Sequence, residues 1–198
     1  MALTTVNLSG LATGAKPGLI EQATVNITSA VASVSLTSLS TDFDAFVINA
    51  HIYPASDNTQ LYCGFLDSAG NLAGYHSTAK FGFYYDSNGT GTLDYYDPVG
   101  RIGKVMGASS ATSTLEGMRL NGTLLGRNFV YNGATESAPV FLGNYQSQTT
   151  GTACQGGSFY VSMDGYGGNA ETIAGIKFYM SSGNIADGYF RIYGMSGT

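Results

Sequence analysis

Nucleophilic catalysis needs a nucleophile beside a base that takes its proton, and the usual base is histidine. The 198-residue chain has two histidines, His51 and His76. His51 falls in an apolar strand-like run and His76 beside a loop, so both read as packed or surface residues. Spelled motifs offer no more. There is no Gly-x-Ser-x-Gly elbow. Ser77-Thr78-Ala79-Lys80 fits Ser-x-x-Lys and Ser56-Asp57-Asn58 fits Ser-Asp-Asn. Their order is the reverse of that in penicillin-recognising enzymes, however, Lys-Thr-Gly is missing, and Ser77 opens no helix. Gly165-Tyr166-Gly167-Gly168-Asn169-Ala170 spells Gly-x-Gly-x-x-Ala. A dinucleotide site also needs a helix whose N-terminus receives the pyrophosphate, and Ala170–Ile176 has no helical amphipathicity.

Metal chemistry lacks donors at useful spacing. Cys63, Cys154 and the two histidines are scattered. Asp86, Asp94 and Asp97 surround one expected hairpin and would suit a calcium ion with backbone carbonyls, though hairpin and turn chemistry explains them as well. The four glutamates, Glu21, Glu116, Glu136 and Glu171, stand in no context that suggests a pair for glycoside hydrolysis. The expectation is therefore a non-enzyme without catalytic residues, metal or cofactor. Two cysteines are too few for a disulfide framework, and unpaired thiols are the plainer expectation.

The residues with most to offer a partner are Tyr84, Tyr85, Tyr95 and Tyr96, which crowd one expected hairpin. Tyrosine gives a large contact area, two rotatable angles and a polar tip. Three readings stand side by side: core filling, an oligomer interface, and a platform for sugar rings.

Composition narrows the object that must hold these residues. Hydrophobic residues make up 43% and charged residues 11%, less than half the usual ~25%. Glycine (28), serine (20) and threonine (20) together form about a third of the chain, which suits neither a coiled coil nor a helical bundle. Fourteen tyrosines and ten phenylalanines argue against a disordered chain. A net charge of −5 argues against a nucleic-acid binder. No run of 18 apolar residues is present, so no transmembrane helix and no membrane partner are expected. Met1–Asn7 has neither a basic nor an apolar segment of a secretory signal, so the chain is expected to stay where it is made or to leave by particle release.

Period-two alternation dominates the chain from Val31 onward. Val34 and Leu36 share one face and Ser33 and Ser35 the other, the pattern of a half-buried strand. Between Phe43 and Tyr53, Phe46, Ile48, Ala50 and Ile52 point one way, while Val47, Asn49 and His51 point the other. Pro54 ends that ladder because it lacks an N–H. Leu61–Leu66 predicts another strand, followed by a turn at Asp67–Asn71. Lys80–Tyr85 and Thr92–Asp97 flank Asn88-Gly89, the best hairpin signal in the chain, which would pair Tyr84 with Leu93 and Phe81 with Tyr96. Short strands at 115–120 and 124–131 flank Asn121-Gly122. Further strands are predicted at Ala138–Tyr145, Ser158–Met163, Ile173–Met180 and Tyr189–Met195. Many short strands and no amphipathic helix predict an all-β fold, an antiparallel two-sheet sandwich of jelly-roll type. Residues 1–30, broken by Gly10, Gly14, Pro17 and Gly18, read as an extended N-terminal arm with one strand near Ala23–Ile27, and residues 31–198 as the sandwich domain.

The C-terminal run Ile176–Gly194, IKFYMSSGNIADGYFRIYG, resembles the ending "I-x-F-x-M-S-S-G-N-I-x-x-G-x-x-x-x-Y-G" of β-rich virion structural proteins of tailed, especially marine and cyanobacterial, bacteriophages. Phe43–Pro54 and the following SDNTQLYCGFLDSAGN resemble the same group more loosely. The resemblance implies a structural protein assembled in the host cytoplasm and carried on the virion, and it leaves head and tail both open. Gly183, Asn184, Ile185 and Gly188 would form a long hairpin with positive φ at the two glycines and Ile185 folded back as a plug. The expected role is decoration or cementing of the capsid surface. The expected partners are its own copies, as a trimer or another symmetric homo-oligomer, and the phage major capsid protein or a tail protein. The alternative is a receptor- or glycan-binding module of a tail fibre or adsorption apparatus, with a host surface glycan as partner.

Overall fold

A strand that alternates apolar and polar residues stays half-buried only if a second layer covers its apolar side. The computed structural model describes residues 18–37, 39–40, 42–43, 45–56, 59–73, 75–85, 101–106, 117–125, 130–131, 139–148, 154–164, 171–172 and 174–195. Among these every regular element is a strand. In chain order they are β1 (Leu19–Ile27), β2 (Ser33–Leu36), β3 (Ala45–Pro54), β4 (Thr59–Leu66), β5 (Tyr75–Tyr85), β6 (Arg101–Met106) and β7 (Gly117–Leu125). Then follow β8 (Val130–Tyr131), β9 (Val140–Gln148), β10 (Cys154–Asp164), β11 (Glu171–Thr172), β12 (Gly175–Met180) and β13 (Ile185–Met195).

Two antiparallel sheets carry the fold. The larger runs β1-β13-β3-β7-β9-β10-β5 and the smaller β2-β12-β4-β6, with β8 and β11 as a separate pair. The pairings nest. β4 pairs with β6, β3 with β7, β2 with β12 and β1 with β13, as if one long hairpin had been wound around a core. The winding is closed where β13 also pairs with β3 and β12 with β4. From β1 to β7 the chain alternates between the two sheets, which puts successive apolar faces on opposite sides of one core, while β9 and β10 pair as neighbours within the larger sheet. The strand expected within residues 1–30 is β1, and it lies along β13 at one end of the larger sheet.

The core sits between the sheets. Phe46, Ile48 and Ile52 of β3 are fully buried, as are Leu61 and Phe65 of β4. Phe178 of the smaller sheet meets Phe141 (5.6 Å between ring centroids, 76°) and Phe190 (4.9 Å, 36°) of the larger one. These tilted and edge-on contacts suit the aromatic quadrupole, and each fully buried phenylalanine contributes about 1.5–3 kcal/mol. Cys63, on β4, is a free and buried thiol.

The turn expected at Asp67–Asn71 is present. The Asp67 carboxylate accepts from the backbone N–H of Ala69 (2.9 Å) and Asn71 (2.8 Å), and Gly70 takes a φ of +83°. Asn121-Gly122, however, is no turn. β7 runs straight through it, paired with β3 on one side and β9 on the other. Gly122 faces the core, and a side chain there would come within 2.5 Å of the Phe141 ring and 3.0 Å of Phe159. The glycine makes room for two rings and does not bend the chain.

The C-terminal connection also differs from its expectation. β12 and β13 lie in different sheets, so residues 181–184 cross from one layer to the other and form no hairpin. Gly183 and Gly188 do take positive φ, +72° and +130°. Ile185 is fully buried and exchanges two backbone hydrogen bonds of 2.9 Å with Val31. The crossing is fastened by buried Thr59, whose hydroxyl donates to the Ser182 carbonyl (2.9 Å) and lies 3.2 Å from Ser181 Oγ. Ser181 Oγ in turn accepts from the Gln60 N–H (3.0 Å), and the Ala55 N–H donates to the Asn184 carbonyl (2.8 Å).

Candidate binding face

The smaller sheet covers one face of the larger sheet, and the other face carries the side chains that can meet a partner. Register places them in rows across the strands, because directly opposed residues of antiparallel strands stand about 4.5–5.5 Å apart. One row reads Arg191 (β13), Asn49 (β3), Asn121 (β7), Asn144 (β9) and Ser158 (β10). The neighbouring row reads Tyr189, His51, Arg119 and Gln146 on β13, β3, β7 and β9.

These side chains hold one another. Asn121 Nδ2 donates to Asn49 Oδ1, and Ser158 Oγ donates to Asn144 Oδ1 at 2.8 Å. The His51 ring lies 4.7 Å from the Tyr53 ring and 6.2 Å from that of Tyr189, the latter edge-on at 88°. The Arg191 guanidinium sits 4.8 Å from the Tyr189 ring centroid, a cation–π contact that steadies a long side chain. Burial, with the Arg119 cation beside it, lowers the His51 pKa below the usual imidazole value, so the ring favours its neutral form. The patch thus combines two cations, four primary amides, a neutral imidazole and two tyrosine rings. Such a set can donate hydrogen bonds, pair with carboxylates and lie flat against a ring.

Toward the end where β1 begins, the same face turns apolar. Leu19 (55% exposed), Leu125 (41%), Leu142 (38%), Tyr160 (42%) and Met195 (38%) all stand there. Cross-strand pairs link Leu19 to Met195 and Leu142 to Tyr160, with Met195 and Leu125 both opposite Ala45. Five of the six large hydrophobic residues exposed among the described residues therefore crowd one end of one sheet. Scattered exposed leucines are ordinary, whereas a contiguous patch marks an association surface.

The tyrosines singled out from the sequence are placed only in part. Tyr84 and Tyr85 lie on β5, where Gln155 and Cys154 of β10 are their cross-strand partners. Tyr95, Tyr96, the Asn88-Gly89 turn and Asp86, Asp94 and Asp97 lie outside the described residues. So do Gly165–Ala170. Among the described residues no group of three or more His, Cys, Asp or Glu side chains is placed to hold a metal ion. Sequence reasoning missed Tyr189, Arg191 and Arg119. Their only signal was that Val47, Asn49 and His51 form the less apolar side of β3, which marks a face open to partners.

The crossing accounts for several positions of the C-terminal run. Phe178 and Met180 enter the core, Ser181 and Ser182 bind Thr59, and Ile185 seals the space beneath. Gly194 lies under the Phe43 ring, where a side chain would come within 2.5 Å of it. No family model, no curated protein and no solved structure matches the chain.

Proposed function

We propose that this chain is a non-enzymatic structural protein of a tailed-bacteriophage particle, one that decorates or cements the capsid surface. In this reading the nested strand pairs are those of a jelly roll, and the protein acts as a homo-oligomer, a trimer or another symmetric assembly, seated on the major capsid protein. The observation that carries the reading is the C-terminal motif. The residues it shares with β-rich virion proteins are spent on joining two sheets, which is scaffold work. The apolar end of the larger sheet supports self-association, since burying it against a second copy would remove five exposed apolar side chains from water. The test is to separate tail-less heads from free tails on a gradient and to measure the chain in each by mass spectrometry. The reading expects it in the heads at a fixed ratio to the shell protein. Its presence in tails alone would overturn capsid decoration.

A receptor- or glycan-binding module is the second reading, and the row of Tyr189, His51 and Arg119 beside Arg191 and Asn49 favours it. That cluster sits on an open sheet face, away from the covered core.

A further inference from the structure

The geometry points to a site for an acidic saccharide, a chain of uronic-acid-type sugars carrying carboxylates, across β13, β3 and β7 on the outer face of the larger sheet. The inference rests on the glycan-binding reading and names its ligand class and residues.

The chain carries a net charge of −5 and only eight lysines and arginines. Two of these, Arg119 and Arg191, nevertheless stand in adjacent rows on either side of β3. Two strand spacings and one row separate their backbones, a diagonal of about 12 Å. Arginine pairs with carboxylate through two parallel N–H···O bonds, so two arginines rooted on either side of β3 offer two such pairings to a ligand with more than one carboxylate. Glu21 and Asp187, the acidic residues described on this face, stand on β1 and at the far end of β13, outside the span between the arginines. The Asp187 carboxylate is engaged locally by the Gly188 N–H.

What lies between the arginines suits the rest of a sugar. Tyr189 and His51 offer ring surfaces, and a pyranose presents a flat C–H face to them. Asn49 and Asn121 offer amide donors and acceptors, which match hydroxyl groups. The rings and amides are already fixed to one another by the contacts above, so little side-chain freedom is lost on binding. A polyphosphate chain would meet two cations in an acidic protein, whereas nucleic-acid sites gather many.

The test uses the full chain and calorimetric titration with tetragalacturonate, neutral maltotetraose and a single-stranded oligothymidylate of equal charge. Tetragalacturonate is expected to bind. Arg119→Gln and Arg191→Gln are each expected to weaken it about tenfold, the size of a lost charge-assisted hydrogen bond. Tyr189→Ala should weaken it as well. All three positions are on the sheet surface, so the variants should melt like the parent, which separates lost binding from lost folding. Equal binding of maltotetraose would overturn the acidic ligand while leaving glycan binding standing. Equal binding of oligothymidylate, or arginine variants that bind like the parent, would overturn the site. No binding of either saccharide would overturn this inference and the glycan reading together.

Discussion

Replacing Gly188 by alanine should destabilise the protein far more than replacing Gly183, although both belong to the C-terminal run and both have positive φ. At Gly188 φ is +130°, a conformation that costs a non-glycine residue about 1–3 kcal/mol. The added methyl would also collide with the His51 carbonyl oxygen and come within 2.8 Å of Ile52 Cα. Both obstacles are backbone of the neighbouring strand, so no rotamer change relieves them. β13 must pull away from β3, with the loss of at least one ladder hydrogen bond, about 1 kcal/mol. The expected total is about 3–5 kcal/mol, a large share of a typical folding free energy. In a chain of this size that lowers the melting temperature by about 10 °C. At Gly183 φ is +72°, nearer the left-handed helical region, and the methyl meets Ser56 Oγ at 2.5 Å. Ser56 Oγ can rotate away and the remaining tight contact, with Ser56 Cβ at 3.1 Å, needs only a small shift, leaving about 1–2 kcal/mol and a shift of about 4 °C. Thermal melts and urea midpoints of the two variants measure the difference. Equal shifts for the two would refute the claim that Gly188 sets the β13–β3 approach. Because the collision is with the carbonyl of His51, Gly188→Ala should also weaken any ligand held by the His51–Tyr189 row.

Other consequences are as direct. Ser147 Oγ is buried without a hydrogen-bond partner among the described residues, so Ser147→Ala should raise the urea midpoint by about 1 kcal/mol of stability, and a drop would show that the hydroxyl is bonded. His51 has a folded-state pKa below its unfolded one, so protonation favours the unfolded chain. Stability should therefore fall as pH drops below the ordinary imidazole range and level off once the folded state also protonates. His51→Gln should shrink the difference in melting temperature between pH 7.5 and 5.5, and an unchanged difference would place the titrating group elsewhere. The Cys63 thiol is buried and its pKa is pushed up by desolvation, so alkylation followed by peptide mapping should leave it unmodified until urea unfolds the chain. Modification under native conditions would mean that β4 opens.

What was legible in the sequence was local. Strict alternation in Phe46–Ile52 and at Ser33–Leu36 identified strands and their buried sides, because each residue's face follows from its neighbour's. Asp67–Asn71 was legible because one carboxylate makes the turn by itself. What depended on distant residues was not. Asn121-Gly122 has turn chemistry, but the rings that need the space are Phe141 and Phe159, some 20 to 40 positions away along the chain. Gly183 and Gly188 required positive φ equally in a hairpin and in a crossing between sheets, and only the pairing of β12 with β4 and of β13 with β3 decides which. The binding face is the extreme case. Tyr189, His51 and Arg119 come from three strands and become neighbours only once register is set.

We propose that this sandwich packs against copies of itself on a virus particle. Cryo-electron microscopy of the whole particle tests it most directly. The account predicts density for the sandwich on the outside of the head in symmetric clusters, with Leu125, Leu142 and Met195 buried between neighbouring copies. A particle whose head surface lacks this density, or clusters in which that apolar end faces water, would contradict it.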